Sequence, residues 1–157
     1  MKTAVSMWSM QKKFYSGEMN IKKFVDFAVD QGCDGVELLD CFLKTDDDIT
    51  QAARLLADRQ MPVAAFSIGN DFVTSEEKLF NEQVEYIKHG IDMAETLNAP
   101  VLRVFSGSSK PGITFEEGMK QIVNGLKACT GYAEKNRITM ALENHGRFAG
   151  RSEQIGR

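Results

Sequence analysis

Near its C-terminal end the sequence sets a carboxylate, an amide and an imidazole in a row. Glu143-Asn144-His145 follows the apolar run Ile138-Thr139-Met140-Ala141-Leu142 and precedes Gly146. Together, such groups can move a proton or hold a divalent cation. Alternation along the run turns Thr139, Ala141 and Glu143 to one face and Met140 and Leu142 to the other, so Glu143 is expected to point inward. An ionised carboxylate removed from water costs several kcal/mol unless it is paired or bound to a metal. Oxygen and imidazole donors suit Mg²⁺, Mn²⁺, Co²⁺ or Zn²⁺. The plain alternative is a solvated Glu and His on a loop.

The same alternation turns Glu37 inward on Gly35-Val36-Glu37-Leu38-Leu39. It also places Val101, Arg103 and Phe105 on a face opposite Leu102 and Val104. The first reading of Glu37 and Arg103 is a structural ion pair, because buried charges occur in compensated sets. Trp8, Phe66, Phe72 and Phe105 lie near strand ends, where core packing competes with contact to a small ligand. Trp8, Glu37, Asn70, Arg103 and His145 are the candidates for substrate contact, and Glu143 is the candidate catalytic and metal-binding residue. The loop Gly107-Ser108-Ser109-Lys110-Pro111-Gly112 could seat a phosphate but lacks the P-loop pattern and reads first as a connection. His89, inside a helical run, reads as a surface or packing residue.

Five short β-forming runs alternate with helical stretches from end to end, and they are what must position these groups. The strands are expected at about Thr3 to Trp8, Gly35 to Leu39, Pro62 to Ser67, Pro100 to Phe105 and Ile138 to Glu143. Ile21 to Val29 marks a helix closed by Gly32, and Ile49 to Leu56 marks the next. Thr74-Ser75-Glu76-Glu77 and Thr114-Phe115-Glu116-Glu117 both have the capping-box pattern at helix starts. Ser152 is expected to cap a further helix that the sequence leaves unfinished. Strict alternation predicts an α/β fold with a parallel sheet covered by helices. No glycine-rich turn follows the first strand, where an open nucleotide-binding sheet would carry one. Polar groups follow several different strands, as in a βα barrel.

The chain of 157 residues suits one domain, residues 1–157. A complete eightfold barrel typically needs about 250 residues, so five of its eight units are expected here. A net charge of −3, with no basic stripe, argues against nucleic-acid partners. Cys33, Cys41 and Cys129 fit neither a disulfide framework nor a zinc motif, which suits a reducing cytoplasm. No apolar run approaches a membrane span, and no signal peptide precedes the first strand.

Four segments carry a resemblance: Gly35-Val36-Glu37-Leu38, Ala65 to Phe72, Val101 to Gly107, and Ala141-Leu142-Glu143-Asn144-His145-Gly146. In this order at strand ends they resemble the xylose-isomerase-like TIM-barrel family of sugar isomerases and epimerases. The resemblance implies a partial TIM barrel and a small sugar or sugar phosphate as partner. It implies a divalent metal held by a Glu after the fifth strand, matched by Glu143, with further ligands from the sixth to eighth strands. It also implies enediolate proton transfer or a hydride shift, with Glu143 paired in epimerases to a second carboxylate after the eighth strand. Because those later strands lie outside the sequence, the isolated chain is expected to be inactive and to bind no metal strongly. A second expectation, from another class, is a catalytically silent partial barrel that forms homo-oligomers through exposed strand edges. An endonuclease IV-like DNA-repair activity is the weaker alternative, since His89 and His145 are too few for a histidine-rich metal cluster.

Overall fold

The computed structural model describes residues 1–155. Five parallel strands pair in chain order: β1 (Ala4–Ser6), β2 (Gly35–Leu39), β3 (Val63–Ser67), β4 (Val101–Val104) and β5 (Thr139–Leu142). The main helices covering the sheet are α2 (Ile21–Asp30), α3 (Asp46–Asp58), α4 (Glu77–Thr96) and α5 (Phe115–Lys135). The architecture is α/β and is a partial barrel, as the alternation predicts.

Register sorts the side chains into two layers. Leu38, Phe66, Leu102 and Met140 stand side by side, and the first three are fully buried against the helices. Each helix contributes one apolar stripe to that core, such as Phe24, Val25 and Ala28 from α2 and Val84, Ile87, Ile91 and Ala94 from α4. On the opposite face, Leu39, Ser67, Arg103 and Ala141 stand in line, with Glu37 beside Ser6. The helix-facing layer therefore fixes the strands, while the other layer carries the polar groups.

The four covering helices end alike. Gly32, Gln60, Asn98 and Arg137 each adopt positive φ. The following N–H then reaches back to a helix carbonyl: Cys33 to Ala28, Met61 to Leu56, Ala99 to Ala94 and Ile138 to Ala133. This Schellman geometry satisfies the last carbonyls and turns the chain toward the next strand.

Helix starts depart from expectation at two points. Thr114 and Glu117 form the reciprocal capping box predicted for α5. Thr74 does not cap α4, which begins after Glu76 without a side-chain cap. Its hydroxyl instead accepts from Glu76 N, while its backbone is bonded in both directions to Gln121 on α5. An unpredicted capping box, Thr45 with Asp48, opens α3.

Trp8 lies beyond β1, in a 3₁₀ turn over Met7–Met10 that runs into the short α1 (Gln11–Tyr15). Two four-residue helices, α6 (Gly146–Ala149) and α7 (Ser152–Ile155), follow β5. The side chain of Ser152, expected as a cap, lies outside the described ones. Leu142, on the strand face opposite Glu143, is 40% exposed because β5 is an outer strand of the described sheet.

Candidate active site

At the carboxyl ends of the strands, a cavity of about 600 Å³ is walled by Ser6, Trp8, Glu37, Asp40, Cys41, Ile68, Gly69, Arg103, Phe105, Glu143 and His145, among others. Each strand contributes at its own end, the arrangement that gives βα barrels their active sites.

Arg103 occupies the centre. Its Nε lies 3.0 Å from Glu143 Oε2 and 4.0 Å from Glu37 Oε1, and its side chain is only 16% exposed. The ion pair expected from the strand pattern is thus with Glu143 first and Glu37 second. The Nε–H is not aligned with any acceptor. The guanidinium is instead steered by Nη1 donating to the Ile68 carbonyl at 3.3 Å and by the Phe105 ring, whose centroid lies 4.2 Å from Cζ. Two carboxylates against one guanidinium leave this cluster acidic, a field that favours a cationic or hydroxyl-rich guest.

The remaining groups are held from behind. The Ser67 hydroxyl donates to Glu37 Oε1 at 2.5 Å, fixing that carboxylate against β3. His145 Nδ1 lies 3.4 Å from Glu143 Oε1, and the His145 and Phe105 rings meet edge to face at 5.1 Å. Glu143 N donates to Val104 O, extending the β4–β5 ladder as far as the carboxylate-bearing residue. Past His145 the chain is anchored by Phe148, which stacks on Phe115 at 5.3 Å and fills a socket left by Gly118 on α5. Trp8 is 50% exposed and stands on its 3₁₀ turn, whose first N–H groups include one donated by Trp8 to Ser6 Oγ.

Of the sequence candidates, Glu143, His145, Trp8, Glu37 and Arg103 converge on this cavity. Asn70 does not. It is 3% exposed, and its amide bonds both the N–H and the carbonyl of Phe105, serving as a polar splice between two strand ends. Phe66 and Phe72 are fully buried in the core. Lys110 pairs with Asp71 at 2.9 Å, whose other oxygen accepts from Val73 and Ser108, so this loop's cation is already matched. His89 sits on the surface 3.4 Å from Asp46.

The sequence reading placed Asp40 only among the polar groups that follow the strands, and it missed Tyr86. Asp40 Oδ2 accepts from Gly69 N at 3.0 Å and from the Tyr86 phenol. Burial, and then the Asp40 carboxylate, push the Tyr86 phenol well above its ordinary range. Asp40 directly follows β2, which was a signal; Tyr86 lies inside α4, where nothing in the sequence distinguishes it from a core aromatic.

Among the described residues, no three His, Cys, Asp or Glu side chains come together as a metal site. Glu143 and His145 supply one carboxylate and one imidazole, and Arg103 already faces the free side of that carboxylate. These residues by themselves do not fit a metal's ligand set.

No curated protein matches the chain in sequence. Among solved structures it is similar to the IolI protein crystallised with a bound zinc atom, at TM-score 0.78 and 20% identity over 99% of this chain and 56% of that one. It is also similar to a D-tagatose 3-epimerase-like protein (TM-score 0.76, 18% identity, 94% of this chain and 54% of that one). A third is the D-psicose 3-epimerase of Clostridium cellulolyticum H10, solved with D-tagatose (TM-score 0.74, 13% identity, 95% and 54%). The chain spans about half the length of these structures. A family model described as xylose isomerase-like TIM barrel matches residues 25–156, and the chain belongs to that family.

Proposed function

We propose that this chain forms the β1 to β5 side of a sugar isomerase or epimerase active site, acting on a small sugar or sugar phosphate. The observation that carries the reading is the convergence of Glu143, Arg103, Glu37, His145 and Trp8 on one cavity at the strand ends. By the enediolate route, isomerisation and epimerisation next to a carbonyl both begin with removal of a carbon-bound proton. Glu143 is the base, and its 3.0 Å approach to Arg103 fixes the direction from which it attacks. The Arg103 charge offsets the negative charge that builds on the enediolate. His145 and Glu37 accept or donate hydrogen bonds to sugar hydroxyls, and Trp8 offers an apolar ring face to the carbon skeleton. Returning the proton to the opposite face needs a second acid, which the family resemblance places after an eighth strand. Divalent-metal dependence is part of that wider reading and would draw on ligands beyond Glu143.

The test is made on the full product of the gene, with ketohexoses in D₂O. Entry of solvent deuterium beside the carbonyl is expected, and Glu143→Gln should reduce it at least a hundredfold, about the share assigned to one acid–base group. Equal exchange by the variant would sink the assignment. The second reading, a catalytically silent self-associating partial barrel, is favoured by the outer strands β1 and β5, neither of which pairs further among the described residues.

A further inference from the structure

The peptide joining Ile68 to Gly69 carries β3 into the cavity wall and is gripped at both polar ends. Its carbonyl accepts from Arg103 Nη1 at 3.3 Å, and its N–H donates to Asp40 Oδ2 at 3.0 Å. The same Asp40 oxygen accepts from the Tyr86 phenol. A peptide unit is planar and stiff, so neither end relaxes without turning the other. A continuous line of contacts therefore runs from Tyr86 on α4, through Asp40 and the 68–69 peptide, to Arg103 beside Glu143.

Arg103 takes its aligned hydrogen bond from this line, not from the carboxylates it faces. Its Nε–H has no aligned acceptor, so the Ile68 carbonyl is the directional bond that orients the guanidinium, with the Phe105 ring beneath it. We infer that Tyr86 and Asp40 are positioning residues, which set the approach of Arg103 to Glu143 through the 68–69 peptide. Its consequence for catalysis rests on the isomerase or epimerase reading, whereas the linkage itself does not.

Tyr86→Phe removes one hydroxyl and leaves the ring in place. Tyr132→Phe is the control: it deletes another phenol–carboxylate bond, to Asp92 at 2.7 Å, at an exposed site between α4 and α5. The readout is the Arg103 Nε–H resonance of the ¹⁵N-labelled chain and its hydrogen-exchange rate. Exchange is expected to quicken about two- to tenfold in Tyr86→Phe, the factor corresponding to one net hydrogen bond, and to stay unchanged in Tyr132→Phe. Asp40→Ala, which removes the relay oxygen, should move the same resonance in the same direction. If Arg103 exchanges alike in wild type and Tyr86→Phe, or quickens equally in Tyr132→Phe, the two residues merely hold α4 to the sheet and the inference is overturned. A failed Glu143→Gln turnover test would leave this result standing, so the two readings fail separately.

Discussion

Asn70 and Glu143 are both polar residues beyond strand ends, yet one is spent on the backbone and the other faces the cavity. Asn70 splices two strand ends by bonding both polar groups of Phe105, so Asn70→Ala should strand a buried N–H and carbonyl. The expected cost is about 2–4 kcal/mol, read as a fall in the urea midpoint, and a change near zero would refute the splice. The Glu143 side was legible because period-2 alternation fixes direction: Glu37, Arg103 and Glu143 fell on the inward face by counting alone. Asn70 was misplaced because an amide that mimics a strand's own hydrogen bonding looks no different in sequence from one that meets a ligand. Asp40 was seen but not understood, since its partner Tyr86 lies 46 residues away. The thiols follow burial in a similar way. Burial, then the Asp40 charge, raises the Cys41 thiol, and burial pushes Cys129 up to about 11. Partly exposed Cys33 should therefore be alkylated first by iodoacetamide near pH 8, followed by mass spectrometry. Prior labelling of Cys129 would contradict its burial.

Of the three glycines of α5, Gly125 and Gly131 look alike in the sequence but not in the structure. A Cβ on Gly125 would lie 2.2 Å from the Phe72 ring, which is fully buried, while Gly131 has open space around it. Gly131→Ala should stabilise by about 0.8–1 kcal/mol through helix propensity alone. Gly125→Ala gains the same propensity but overpacks the core, for a net loss of about 1–2 kcal/mol. Thermal melts of the two variants should shift in opposite directions, and a common sign would discredit the socket. The start of α5 adds a pH dependence. Thr114 N–H and hydroxyl donate to Glu117 and hold its carboxyl below the ordinary glutamate value. Since the folded value is the lower one, this contribution is complete above the unfolded value of about 4.3 and fades as pH falls through the folded value. Glu117→Gln should therefore lower the melting temperature at pH 7, and the gap to wild type should narrow as pH falls below about 4.3. The Thr114 box was readable because both partners sit on one local motif. Thr74 carries the same pattern, but Gln121 on α5 claims its backbone, and a competitor 47 residues away leaves no local trace.

At the scale of the whole molecule, the five-strand order and the helix-facing core follow from alternation and apolar period, because each βα unit repeats the same local rules and the same helix ending. What lies at the two sides of the sheet is set by no local rule. β1 and β5 are outer strands among the described residues, and such edges offer unpaired backbone groups to another chain. On β5 the N–H groups of Thr139 and Glu143 are used toward β4, at Pro100 O and Val104 O. Strand alternation then points the N–H groups of Met140 and Leu142 to the open side. Leu142, 40% exposed there, combines an unpaired donor with an apolar side chain. If the silent-oligomer reading holds, the isolated chain should sediment with an average mass that rises with concentration. Leu142→Pro removes that outward N–H without taking a ladder bond to β4, and Leu142→Lys places a charge at the edge. Both should shift the chain toward monomer while far-ultraviolet circular dichroism stays the same. A wild-type chain that remains monomeric at millimolar concentration would leave the catalytic reading as the one consistent with an open polar cavity at the strand ends.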